Sequence, residues 1–233
     1  MKIKENIAEV KRRIFLTCTK INCDPRTITL VAVSKGRSID EIKQAIEAGI
    51  THLGENRVQE AVIKYAALRN TEYGIRINWH MVGHLQTNKV KDAVKIFDLI
   101  HSIDSLPLAK EVDKQANKLN KIQDVLIEIK TSPEISKFGF NPEQIIEVIK
   151  EISGFKNINI KGLMTIAPRV DDPEQARPYF RRLRGLLEEI NTKGITQQAM
   201  RILSMGMTED FEVALEEGAN MLRLGRAIFE GQK

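Results

Sequence analysis

The sequence predicts an α/β fold, a single (β/α)8 TIM barrel with an extra N-terminal helix. Three observations carry this. Short β-rich runs alternate with amphipathic helical stretches along the chain. The runs number eight, each followed by a helix once Arg226 onward is taken as a short last one. No Gly/Ser linker or shift in composition marks a boundary, so residues 1–233 read as one domain of ordinary size for such a barrel. Eight βα units are best satisfied by closing the sheet. A doubly wound open sheet, the runner-up, would leave two edge strands, and no GxGxxG follows the first run.

The extra helix is expected over Ile3–Thr19, followed by a first strand, Ile28–Val33. That run is continuously apolar, as suits a parallel strand buried on both faces. The segment Ser38–Glu41 (SIDE) is a capping box opening a helix that stops near Gly49. After a strand at Thr51–Gly54, Asn56 with Gln59 reads as the start of a helix running to Leu68. Further strands are expected at Asn78–Val82, Leu99–Ile103, Gln123–Ile129, Ile158–Met164, Met200–Ser204 and Asn220–Leu222. Helices lie between them near Asn88–Val94, Ser105–Leu119, Pro142–Ile152, Pro173–Ile190 and Glu209–Glu216. Asn141-Pro142 and Asp172-Pro173 each place a capping side chain before a first-turn proline. Pro178 should kink its helix or mark where it truly starts.

Composition narrows the function classes. Apolar residues at 42% and charged residues at 29% are those of a globular chain. The net charge of +5 invites a nucleic-acid reading, but 36 basic residues are interspersed with 31 acidic ones and no basic run is interleaved with aromatics. No nucleic-acid partner is expected. No stretch approaches the roughly 18 uncharged apolar residues of a membrane span. Met1–Glu5 leads into an amphipathic pattern without an apolar signal core, which points to the cytoplasm. Cys18 and Cys23 lack the further partners a zinc site needs and read as reduced thiols.

In such barrels reactive groups sit at the C-terminal strand ends. Lys35 follows the first buried run, where partial desolvation would free its amine as a nucleophile. Ser204-Met205-Gly206 and Arg223-Leu224-Gly225 follow the seventh and eighth runs, where this fold usually cradles phosphate on backbone N–H groups. Closure makes the eighth strand a neighbour of the first, so an amine beside a phosphate cradle suggests a phosphorylated aldehyde as ligand. His80 and His84 share no helical face, and His52 and His101 look isolated, so no metal site is expected. Glu55 reads as a structural group of its loop.

These segments resemble the pyridoxal phosphate homeostasis protein family, which has the fold of the alanine racemase N-terminal domain. The matching stretches are Val31–Lys35 (VAVSK), Leu53–Glu60 (LGENRVQE), Trp79–Lys89 (WHMVGHLQTNK), His101–Ser105 (HSIDS), Lys137–Gly139 (KFG), Gly162–Thr165 (GLMT), Leu203–Met207 (LSMGM) and Leu222–Gly225 (LRLG). The resemblance implies pyridoxal 5'-phosphate (PLP) held as a Schiff base on Lys35, with Asn56 near the ring and Arg223 at the pyridine nitrogen. It implies that Ser204, in the Ser204–Met205–Gly206 loop, and the backbone at Gly225 and Arg226 hold the phosphate. Arg226 departs from the family, which usually has a small hydroxyl residue there, and Pro133–Ser136 departs from the pattern around Lys137.

Two functions are weighed. The first is a non-catalytic carrier and buffer of PLP, acting as a monomer and delivering the cofactor to PLP-dependent apo-enzymes. The second is a PLP-dependent amino-acid racemase. Racemisation needs bases on both faces of the substrate carbon, and racemising relatives draw one from an additional β-domain and a dimer partner. The sequence ends after the eighth unit, which favours the carrier and no substantial turnover.

Overall fold

The computed structural model describes residues 2–74, 77–132, 138–196 and 198–231. Lys137 and the Pro133–Ser136 segment lie outside them. The eight strands are β1 (Thr29–Val33), β2 (His52–Glu55), β3 (Asn78–Met81), β4 (Leu99–Ile103), β5 (Gln123–Glu128), β6 (Ile158–Met164), β7 (Ile202–Ser204) and β8 (Met221–Leu224). They pair in parallel in chain order and close into a barrel, with β8 returning to β1. The closing register sets Ala32 against Leu224. The closed sheet, not the open one, is the fold.

Helix α1 (Lys2–Lys20) precedes the barrel, followed by α2 (Ile39–Glu47), α3 (Val58–Leu68), α4 (Val90–Ile96), α5 (Leu106–Lys118), α6 (Ile145–Ser153), α7 (Arg177–Thr192), α8 (Phe211–Glu216) and α9 (Arg226–Phe229). Their apolar stripes bury the outer faces of the strands in one large core. A smaller core of Val31, Val82, Leu99, Leu126, Met164 and Met221 is drawn from five strands and the end of β3. Because side chains alternate across a strand, these residues mark the inward positions.

The Ser38 capping box is present, with Gly49 at φ +87° beyond the helix. Asp172 accepts from the Glu174 N–H, a 3₁₀ turn follows over Pro173–Ala176, and α7 begins at Arg177. Pro178 therefore marks the true start of its helix and sits in the first turn, where its missing N–H costs nothing. Two expected caps fail. Asn56 does not open α3; Arg57 does, without a side-chain bond. Asn141 caps a 3₁₀ turn, Pro142–Gln144, again without a side-chain bond.

The last strand begins one residue later than expected, after Asn220, whose side chain adds to the main-chain bonds that residue makes with Leu203 O and Thr29 N. The side-chain oxygen accepts from Leu203 N at 2.9 Å and its nitrogen donates to Arg201 O at 2.6 Å. That bridge supports the thin β7–β8 ladder, which has a single partner pair, Ser204 with Met221.

Candidate functional site

Lys35 emerges from β1 on a turn fixed from below. Ser34 is fully buried, donates its N–H to Gly54 O at 2.9 Å, and donates its hydroxyl to Glu55 Oε1 at 2.5 Å. Lys64 reaches up from α3 and donates to Ser34 O at 2.6 Å and to Glu55 Oε1 at 2.7 Å. Gly36, at φ +67°, donates to Glu60 Oε2 at 3.0 Å. Lys35 itself is exposed, rather than partly desolvated as expected. Burial raises the Glu55 carboxyl above its ordinary range, against the lowering pull of Lys64 and Ser34, and its Oε2 has no partner. Lys64 is the residue sequence reasoning overlooked. It shares the buried face of Val58, Ala61 and Leu68, and a lysine on an apolar stripe is the signal that was available.

Across the β1–β8 seam sits Arg223, 4% exposed. Its Nη1 donates to Ser204 Oγ at 2.6 Å and its Nη2 to Thr165 O at 2.8 Å. Burial pulls its pKa down to about 10, while the Glu128 and Asp210 carboxylates pull the other way. Glu128, at the end of β5, is pushed up to about 7 by burial and by the nearby Asp104, with Arg223 opposing.

The loops after β7 and β8 lie next to each other. Gly206, at φ +92°, has no room for a side chain, since an added Cβ would lie 2.7 Å from the Ala214 methyl. The Met205 N–H donates to Met221 O at 3.2 Å, and Met207 N to Asp210 Oδ1 at 2.6 Å. A Cβ at Gly225 would stand 3.2 Å from the Val33 carbonyl, so this loop abuts the end of β1. Among the described residues, nothing accepts from the N–H groups of Gly206, Gly225 or Arg226. The Arg226 guanidinium pairs with Glu209 at 2.8 Å, both well exposed. Asn56 is half-buried, and Gly83 approaches so closely that an added Cβ would stand 2.5 Å from the Asn56 carbonyl.

The histidines correct an expectation. His52 and His101 are not isolated. His52 Nδ1 lies 2.8 Å from His80 Nε2, and His80 Nδ1 lies 2.9 Å from His101 Nε2. His101 Nδ1 is 2.9 Å from Ser204 Oγ, the oxygen that also receives Arg223. Burial lowers all three rings, His80 to about 3. His84 stands apart, 2.8 Å from Asp104 and stacked on Phe138. No group of three or more metal-binding side chains occurs among the described residues. Nor is any described helix long and apolar enough to cross a membrane.

The fold thus brings Lys35, Gly206, Gly225 and Arg226 to one mouth, with Arg223 and Ser204 buried at neighbouring strand ends. The Ser204 hydroxyl, expected at a phosphate, is engaged by Arg223 and His101.

The chain matches the family model described as alanine racemase, N-terminal domain, over residues 2–233. It is 40% identical to a pyridoxal phosphate homeostasis protein of Aquifex aeolicus, covering 98% of each chain. A protein of the same name from a Synechocystis strain is 38% identical, over 88% of this chain and 92% of the relative. Among solved structures it is similar to PipY of Synechococcus elongatus with PLP bound, at a TM-score of 0.85 and 33% identity over 97% of this chain and 99% of PipY. An alanine racemase from Clostridium difficile shares the fold, with a TM-score of 0.76 at 17% identity, over 97% of this chain and 56% of that one.

Proposed function

The chain belongs to the pyridoxal phosphate homeostasis protein family, built on the alanine racemase N-terminal domain, and we propose that it is a cytoplasmic, monomeric carrier and buffer of PLP. The observation that carries this is the β1–β8 seam. It sets an exposed primary amine, Lys35, beside the unengaged N–H groups of Gly225 and Arg226.

These residues fit the cofactor. PLP bound here would supply a reactive aldehyde, and the Lys35 amine is the group that would hold it covalently, with water as the leaving group, and keep it from other amines. The N–H groups of Gly206, Gly225 and Arg226 would donate to its phosphate, needing no side chain and tolerating the Arg226 replacement. Met205 contributes packing, because its N–H is committed to Met221. Asn56 borders the ring from the end of β2. Ser204 acts through Arg223.

Arg223 accounts for quiet binding. Enzymes that use PLP as an electron sink keep the pyridine nitrogen protonated, usually with a carboxylate. A guanidinium only donates, so Arg223 facing that nitrogen would hold it unprotonated and weaken the sink. The held cofactor is then passed to PLP-dependent apo-enzymes, with no role for nucleic acid or membrane.

Borohydride reduction followed by peptide mass mapping tests the assignment. The pyridoxyl group is expected on Lys35 alone, and Lys35→Ala should lose the visible absorbance. Label on another lysine refutes the site. The alternative, a racemase-like enzyme, is tested by deuterium exchange at the α-carbon of free amino acids. Rapid catalytic exchange dependent on Lys35 would replace the carrier reading.

A further inference from the structure

We propose that His52, His80, His101 and Ser204 form one polarised hydrogen-bond chain through the barrel interior, and that this chain positions Arg223. Its effect on the cofactor rests on the reading that Arg223 faces the bound ring; the state of the imidazoles does not.

Three successive strands each contribute one inward residue, and each contact in the chain holds a single proton. The links are His52 Nδ1 to His80 Nε2 at 2.8 Å, His80 Nδ1 to His101 Nε2 at 2.9 Å, and His101 Nδ1 to Ser204 Oγ at 2.9 Å. Burial is the leading cause holding the rings neutral, since each pKa is lowered. A neutral imidazole has one N–H and one bare nitrogen. Only two arrangements then satisfy every link: all three protons on Nε2, or all three on Nδ1.

The two ends choose between them. At one end Arg223 Nη1 donates to Ser204 Oγ at 2.6 Å and has no lone pair to offer. A second donor from His101 would crowd two N–H groups onto that oxygen beside a fixed positive charge. At the other end the Asp98 carboxylate favours positive charge on His52. Asp98 is itself held in place, accepting from Trp79 N at 2.7 Å. The Nε2–H arrangement satisfies both ends. Its donors run from Arg223 to Ser204, His101, His80 and His52, so the positive end of the chain is the His52 end, where the field of the Asp98 carboxylate favours it. Aligned hydrogen bonds of this kind polarise and strengthen one another.

The consequence falls on Ser204. Its proton turns inward to His101, and its oxygen is left as a fixed acceptor for Arg223. Thr165 O pins the other guanidinium nitrogen. Ser204 and His101 are thus positioning residues, and the Ser204 hydroxyl has no proton for a phosphate.

Nitrogen-15 NMR of histidine-labelled full chain, without PLP, reads the tautomers directly. His52, His80 and His101 should each carry the proton on Nε2 at neutral pH. A proton on Nδ1 of His80 or His101, or an imidazolium at either, overturns the chain. Positioning is read with two variants. His101→Asn keeps an oxygen acceptor near the Nδ1 position, whereas His101→Leu removes it. His101→Leu should weaken PLP binding about tenfold and move the nitrogen-15 shift of labelled PLP toward a protonated ring. His101→Asn should stay within about threefold of the parent. Equal effects of the two substitutions, or none from leucine, overturn the positioning role. The tautomer measurement needs no variant, so it decides even where His101→Leu does not fold. Failure of borohydride to trap PLP on Lys35 in the unmodified chain would defeat the carrier site while leaving the histidine result standing.

Discussion

Replacing Glu128 with glutamine should stabilise the protein, and only at higher pH. Glu128 is 7% exposed at the end of β5, and burial with the neighbouring Asp104 lifts its pKa from 4.5 to about 7. The sign follows from which state holds the proton. Below the unfolded value both states are protonated and the group contributes nothing against folding. As pH rises, the unfolded chain ionises first while the folded chain keeps its proton, so stability falls. The loss levels off once pH passes the folded value. A shift of this size corresponds to about 3 kcal/mol at roughly 1.4 kcal/mol per unit. Because part of that loss is already present at pH 5, the change between pH 5 and 8.5 should be about 2–3 kcal/mol. Glu128→Gln removes the titration while keeping shape. Urea unfolding followed by the fluorescence of Trp79, the chain's single tryptophan and a buried one, measures it. The difference between variant and parent should widen by that amount across the range. Parallel stability curves would refute the raised pKa.

Lys64→Met should destabilise by about 3–5 kcal/mol in the same assay, because it leaves the Glu55 carboxylate buried without its cation; adding Glu55→Gln should recover part of the loss, and strict additivity would count against the pair. Arg226→Thr breaks only an exposed pair with Glu209, so stability should change by about 0–1 kcal/mol and PLP affinity by less than about threefold. A tenfold loss would mean that the guanidinium holds the phosphate. Gly206→Ala should cost about 2 kcal/mol or more and weaken PLP binding, since φ +92° and the Ala214 methyl both resist a side chain; normal affinity would separate this loop from the phosphate.

The barrel was legible because its signals are local and repeated. Continuous apolar runs, the Ser38 capping box and the Asp172-Pro173 pair each name an element from within a few residues. Lys35, Gly206 and Gly225 were legible because strand ends can be counted once the fold is known. The polar interior was not. His52, His80, His101 and Ser204 meet only through inter-strand register, and Ser204 lies 103 residues from its partner His101. Lys64 was hidden differently, as a charged residue on a face whose other members are apolar. Asn56 misled because its residue type suits a cap, while the chain ran on one residue further, to Arg57, before turning into α3.

The seam between β1 and β8 carries a further consequence for how the protein is made. Synthesis delivers β1 early and β8 late, with some 190 residues between the partners Ala32 and Leu224. Until β8 arrives, β1 presents a bare edge able to pair with another chain. Helix α1 faces the same wait, since Asn6 donates to Ile228 O at 2.9 Å. The Lys35 turn and the Gly225 loop become neighbours only when that edge is filled. A chain whose first seven strands have formed without β8 therefore lacks the two-sided mouth, which exists only once the first and last strands have found each other.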